Sequence, residues 1–140
     1  MKHMILLVAL VLVSASAIAA DYYDLDEELH TASQLIEKAQ YKRAIEKLKD
    51  AIRSDSENAN AWNLLGYSSR KKGDLEKSAE AYHKALSLDP NHKDALEYQG
   101  ELFLMLGDKT AAEGNLAKLI SLCPDGCEQV ELLMKAIEAQ

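Results

Sequence analysis

Residues 84–90 read KALSLDP and residues 118–124 read KLISLCP. The two stretches lie 34 positions apart and share one shape: Lys, two apolar residues, Ser, Leu, a variable residue, Pro. The same spacing links Gly66 to Gly100, and the pair Gly73-Asp74 to Gly107-Asp108. A fixed period of this length marks a stacked-repeat architecture, in which each unit buries its apolar face against its neighbours. Followed backwards, the register gives a more divergent first copy. Ala32 then stands at the place of the helical glycines, Gln40-Tyr41 at the turn and Ser56 at the Pro place. The repeats run over about 25–58, 59–92 and 93–126, with 127–140 left over.

Each copy reads as two amphipathic helices. In the second, Trp62, Leu65 and Ser69 fall on one helical stripe, and Leu75, Ala79, Tyr82 and Leu86 on another. Gly73 stops the first helix, Asp74 caps the second and Pro90 closes it. Asp24 and Glu27 have capping-box spacing at the start of the first copy. The stretch AWNLLGY, residues 61–67, puts a Gly inside a helix, at a propensity cost of about 1 kcal/mol against Ala. Close crossing by the partner helix of the same repeat offsets that cost. Ala44, Ser78 and Ala112, each twelve positions past Ala32, Gly66 and Gly100, supply the other side of the crossing. Trp62, one turn before Gly66, is expected to fill the space around it as a core residue rather than a ligand platform.

On these residues the chain resembles the tetratricopeptide repeat (TPR) family. Repeat two carries the resemblance through Trp62, Leu65, Gly66, Ala81, Tyr82, Ala85 and Pro90. Repeat three keeps Gly100, Phe103, Ala112, Leu116 and Pro124 but has Leu96 in the Trp place. Repeat one has Glu28 there, with Ala32, Ala44, Leu48 and Ala51 as its matches. The resemblance covers residues 25–126 and implies an all-α fold: a superhelical stack of three helix-turn-helix repeats plus a C-terminal capping helix over 127–140. In that last segment Val130, Leu133, Met134 and Ile137 form one stripe, with Glu128, Glu131, Lys135 and Glu138 opposite, like the solvating helix that ends such stacks.

The resemblance further implies a non-enzymatic protein–protein interaction module, an adaptor or scaffold whose groove is lined by the first helix of each repeat. The register puts Asn60, Asn63, Tyr67, Arg70 and Lys71 on that groove from repeat two. Repeat three contributes Asp94, Glu97, Glu101, Leu104 and Met105, and repeat one Asp26, Leu29, Ser33, Ile36 and Glu37. This wall has a basic middle between acidic ends. Asn63 is expected to hold an extended backbone through its amide, and Tyr67 to offer a flat apolar surface with a polar tip. Leu104 and Met105 read equally well as residues covered by the helix 128–138. Some members clamp an acidic C-terminal tail, but the places concerned hold Leu29, Ser33, Leu64, Asp94 and Tyr98 here, so that mode is not implied. The alternative is a structural protein forming homo-oligomers through its repeats, motivated by the weak first copy and by Leu104-Met105.

Residues 1–20, MKHMILLVALVLVSASAIAA, have an apolar run over Met4–Val13 followed by small residues, the order of a cleavable signal peptide ending at Ala19 or Ala20. The rival reading is an uncleaved anchor. Spanning a bilayer takes about 20 apolar residues, and the run is short of that, so the domain is read as 21–140, exported to the periplasm or beyond. Without Lys2 the chain carries fifteen Lys and Arg against 23 acids, a net charge of −8. Such a chain repels nucleic acid and anionic lipid surfaces, and its expected partner is a protein or peptide of the cell envelope. In an oxidising compartment Cys123 and Cys127, in CPDGC, read as a structural disulfide contributing about 2 kcal/mol. A redox-active dithiol wants C-x-x-C spacing and a zinc site four ligands, and neither is present.

His30, His83 and His92 fall in different parts of the register with no ligand spacing, and read as solvated surface residues. DYYDLDEEL, residues 21–29, lacks the Gly and the closing Glu of a calcium loop. No catalytic, cofactor-binding or metal-ligating residue is assigned.

Overall fold

The computed structural model describes residues 27–140. The leader 1–20, Asp26 and the Asp24 half of the capping box fall outside those residues. Seven helices follow one another: α1 over 27–37, then α2 (Tyr41–Ser54), α3 (Ala59–Lys72), α4 (Leu75–Leu88), α5 (Lys93–Met105), α6 (Lys109–Leu122) and α7 (Glu128–Glu138). There is no strand among the described residues. Each helix packs on the next from α2 to α6, while α7 lies against both α5 and α6, and α3 also touches α5. Inner helices thus have neighbours on two sides. That is why polar residues of α3 and α5 (Asn63, Ser68, Ser69 and Glu97) are buried along with apolar ones.

The caps explain where helices begin. Asn58, Asp74 and Asp108 each accept a hydrogen bond from the backbone N–H three residues on, at 3.0, 3.3 and 3.0 Å. At α5 the same task falls to His92, whose Nδ1 accepts from Ala95 N at 3.3 Å. His92 is therefore a capping residue rather than a merely solvated one. Between the helices of each hairpin, Gly73 (φ 92) and Gly107 (φ 78) take left-handed conformations that favour glycine. Thirty-four positions before Gly73 stands Ala39, the one non-glycine of positive φ among the described residues (φ 54). A left-handed conformation costs an L-residue about 1–2 kcal/mol. The turn of the first hairpin lies slightly earlier than the register suggests, with Gln40 capping and Tyr41 already opening α2.

The hairpins close through small residues. A Cβ built on Gly66 would lie 2.6 Å from two ring carbons of Tyr82, so the Tyr ring rests directly on the α3 backbone. One turn before Tyr82, Ser78 Oγ donates to Gly66 O at 2.8 Å, which places Ser78 at the crossing as expected. Ala32, Ala44 and Ala112 are fully buried. At Gly100 the expectation fails in its partner: the space is filled by Leu133 of α7, 2.6 Å from the would-be Cβ, not by α6. Of the expected stripe Leu75, Ala79, Tyr82 and Leu86, only Tyr82 is buried; Ser78, Ala81 and Ala85 complete the buried face of α4. Small side chains let the backbone come close, which turns the bulkier leucines to the flanks.

Trp62 also departs from its expected place. It is only partly buried, its indole N–H donating to Ser56 O at 2.9 Å, and it lines a surface cavity. An apolar core cluster sits at the C-terminal end, where Leu96, Leu104, Leu119, Leu133 and Ile137 are buried together. Val130 packs against that cluster, but Met134 faces outward, so the stripe of α7 is narrower than the sequence suggests. Cys123 and Cys127 are joined as a disulfide, with Cα atoms 5.8 Å apart, and link the end of α6 to the first residue before α7.

Two glycine substitutions are expected to move stability in opposite directions. Gly66→Ala gains helix propensity of about 1 kcal/mol, but its methyl has no room against a buried ring, and overpacking costs about 1–3 kcal/mol. Gly114, exposed in α6 with nothing within 4 Å of its would-be Cβ, has the gain alone. Urea unfolding should show Gly66→Ala destabilised and Gly114→Ala stabilised by about 0.5–1 kcal/mol. Equal effects at both sites would mean that Tyr82 does not set the crossing.

Candidate functional site

The face shared by α3 and α5 carries the residues that the register assigned to a groove. Helical spacing aligns Asn63, Tyr67 and Arg70 on α3, and Glu97, Glu101 and Leu104 on α5. Burial then divides them. Asn63 is 1% exposed, and its Oδ1 has no hydrogen-bond partner among the described residues. It therefore does not present its amide at the surface. Glu97 is 2% exposed, and Leu104 belongs to the C-terminal apolar cluster. Met105, by contrast, is 55% exposed. Of the two readings given for Leu104 and Met105, cover by α7 applies to the first and not to the second. Asn60 and Lys71 are exposed, and Tyr67 is partly so. In repeat one, Leu29, Ser33 and Ile36 are partly buried and Glu37 exposed.

Arg70 organises this face. Its side chain is 10% exposed and forms an ion pair with Glu101. Its guanidinium lies over the ring of Tyr67 at 5.6 Å and of Tyr98 at 5.9 Å, and Lys71 Nζ is 6.0 Å from the Tyr67 centroid. Tyr67 and Tyr98 meet at 4.9 Å with their rings tilted by 49°, with Tyr41 edge-on to Tyr67 at 6.4 Å and Tyr82 6.5 Å from Tyr98. Four tyrosines from four helices thus form a connected ladder. Contacts between a cation and an aromatic face contribute about 0.5–1 kcal/mol at exposed sites and more when desolvated. Tyr41, Tyr82 and Tyr98 were not among the assigned groove residues. They sit at unrelated register positions, so the 34-residue period does not reveal them.

The electrostatics follow from this packing. Burial pushes the Glu97 carboxyl up to about 8, the Glu101 charge adds to the rise, and Arg70 opposes it. Burial and the Glu97 charge push Tyr98 up to about 12. Tyr82 is raised by burial too, with Arg70 acting on its hydroxyl as a nearby charge although the two do not meet at hydrogen-bond geometry. Burial weakens the charge of Arg70, but Tyr82 and Glu101 outweigh it and hold the guanidinium protonated. The middle of the wall is therefore less basic than expected, because Arg70 is matched by Glu101, while the proton on Glu97 takes one negative charge from the acidic end.

Beside this pair an open groove of about 440 Å³ runs between α3, α5 and α7, lined by Arg70, Glu101, Leu104, Met105, Ala136 and Gln140. It brings together four of the assigned residues and adds α7 to them. Among the described residues no three His, Cys, Asp or Glu side chains gather as metal ligands would.

Stacked hairpins with recurring glycine turns and a side-chain-free crossing are matched by a family model described as tetratricopeptide repeat, over residues 31–91 and again over 70–126. The chain belongs to the tetratricopeptide repeat family. As a TPR protein it is similar in fold to the first TPR of Spaghetti (RPAP3) bound to HSP90 peptide SRMEEVD. That likeness has a TM-score of 0.74 at 14% identity, over 84% of this chain and 93% of that one. The second TPR domain of human RPAP3, in complex with HSP70 peptide SGPTIEEVD, gives a TM-score of 0.75 at 21% identity, over 86% and 99%. The Arabidopsis OM64 TPR domain gives 0.76 at 13% identity, over 85% and 98%. Among curated proteins, 74 residues are 34% identical to the probable UDP-N-acetylglucosamine--peptide N-acetylglucosaminyltransferase SPINDLY of Hordeum vulgare. That stretch is 53% of this chain and 8% of the other protein.

The raised Glu97 acid has a measurable consequence. A carboxyl whose folded pKa exceeds its unfolded value of 4.5 keeps its proton longer in the native TPR stack. The native state then binds more protons than the unfolded chain between pH 4.5 and about 8, so stability falls as pH rises through that window. Glu97→Gln should flatten the decline. The difference in urea midpoint between variant and wild type should move in the variant's favour from pH 5 to pH 9. A difference independent of pH would show that Glu97 titrates normally.

Proposed function

We propose that this TPR protein is a non-enzymatic adaptor that holds an extended segment of another protein across the α3–α5 face, in the groove that α7 completes. The observation that carries this reading is the conjunction of Arg70, held by Glu101 and two tyrosine rings, with an open groove edged by exposed Met105. Polar and aromatic side chains fixed in advance lower the ordering cost of binding, and an exposed apolar residue supplies a contact for a partner. The TPR domains of RPAP3 named above are bound to chaperone peptides ending in EEVD. In this chain Arg70 is matched by Glu101, and Asp94 and Glu37 outnumber Lys71 on the same wall, so the segment we infer is neutral or basic rather than acidic. No transferase role is proposed, since the SPINDLY likeness reaches 8% of that protein.

Selection of a random heptapeptide display library on the purified protein tests the groove. Binders should be enriched in Lys or Arg over Asp or Glu. Their capture should be lost with Tyr67→Ala/Met105→Lys, which removes the exposed apolar contact and adds a repelling charge, while circular dichroism keeps the helical signal of the wild type. Binders that ignore both substitutions would place recognition elsewhere.

The setting we propose is the cell envelope, on the leader-like residues 1–20 and the disulfide-bonded Cys123–Cys127 pair. A second reading, self-association, is favoured by one observation: among the described residues Met105, Leu106, Ile120, Leu132 and Met134 are the exposed large apolar ones, and they cluster over 105–134. Native mass spectrometry of the protein recovered from the periplasmic fraction addresses both. A monomer starting at Ala20 or Asp21 supports the exported adaptor. An intact Met1 removes export with cleavage, and a dimer favours self-association.

A further inference from the structure

On the side of α3 turned away from Tyr67 and Arg70, a cavity of about 190 Å³ opens between α2, α3 and α4. Positions 62, 65, 69 and 72 line it, and their helical phase is roughly opposite to that of 60, 63, 67 and 70. Its floor is apolar: Ile45 from α2, Trp62 and Leu65 from α3, and Ala81 from α4. Trp62 is a fixed wall, because its indole N–H is tied to Ser56 O at 2.9 Å. A buried cavity of ~150 Å³ holds a benzene ring, so this one is sized for a single bulky side chain and not for a folded element.

The rim adds charge. Lys49, Lys72 and Lys77 converge there against Asp74 and Glu80, in a chain whose net charge is −7. Lys77 is bonded to Asp74 at 2.8 Å, and Lys77 and Lys72 together hold the Asp74 carboxyl below its usual range. Lys49 and Lys72 have no ion-pair partner among the described residues. An apolar slot whose rim carries three ammonium groups against two carboxylates fits one chemistry: a bulky aliphatic or aromatic side chain with carboxylates on the adjoining residues.

We propose that this cavity is a second docking site, on the opposite side of the stack from the α3–α5 face, which takes a single apolar side chain of an acidic partner segment. The side chain fills the slot over Trp62 while flanking Asp or Glu residues meet Lys49 and Lys72. The two sites therefore select opposite charge, one neutral or basic segment at the α3–α5 face and one acidic segment here. A protein built this way would bridge two partners rather than hold one.

The chain has one Trp, so Trp62 emission reports on the cavity directly. The probes are the synthetic peptides Ac-EELEE-NH2, Ac-EEAEE-NH2 and Ac-KKLKK-NH2, titrated into the purified protein. The Leu-centred acidic peptide should shift the emission saturably, and the other two should not. Lys49→Glu/Lys72→Glu, both at exposed positions, should weaken that response roughly tenfold or more, with circular dichroism confirming the fold. Tyr67→Ala/Met105→Lys should leave it unchanged, which separates this site from the α3–α5 face whatever becomes of the latter. The proposal is overturned by no saturable shift, by equal response to the basic peptide, or by a response lost in the Tyr67 variant and kept in the Lys49/Lys72 variant.

Discussion

The contact on which most of this molecule turns is a tyrosine ring lying on bare backbone. Tyr82 of α4 covers Gly66 of α3 so closely that no Cβ fits between them. Burying a large side chain contributes about 1.5–3 kcal/mol, against about 1 kcal/mol for placing Gly in a helix. The crossing does more than stabilise one hairpin. It brings the Tyr82 hydroxyl beside Arg70, whose guanidinium in turn lies over Tyr67 and Tyr98 and pairs with Glu101. A missing side chain in the core thus fixes the positions of charged and aromatic groups at the surface.

Much of the architecture could be read from spacing alone, because glycines, prolines and caps act locally. Gly73 and Gly107 must end helices in a left-handed turn, and Asp74 and Asp108 must satisfy the N–H groups that follow. What spacing could not give was rotation about each helix axis. Of the expected α4 stripe only Tyr82 faces fully inward, joined there by the small Ser78, Ala81 and Ala85, and Trp62 stands at a cavity mouth. Size and closeness of approach decide that choice, and hydrophobicity does not report either. The same ambiguity let α7, rather than α6, fill the space over Gly100.

The candidate site was legible in outline and not in its electrostatics. The register brought Tyr67, Arg70, Glu101 and Met105 to one face, where the structure also places them. It also counted Asn63 and Glu97 as accessible, whereas both lie between helices packed on either side. The tyrosine ladder joins α2, α3, α4 and α5 at positions with no common period, so only the folded chain assembles it. Formal charges assigned from sequence made the middle of the wall basic. Packing changes both signs: matching Arg70 with Glu101 takes a positive charge from the middle, and keeping a proton on Glu97 takes a negative one from the acidic end.

Ala39 gives the stack a direction. The first hairpin bends through an L-residue in a backbone conformation that Gly73 and Gly107 adopt freely in the other two. That strain, about 1–2 kcal/mol, sits in the first described hairpin of a nearly one-dimensional array, whose link to the rest runs from α2 to α3. Opening events should accordingly begin at α1 and travel inward, while the disulfide-linked end remains closed. Hydrogen exchange would fade along the chain in that order, and a protease would find its earliest cuts near the same bend.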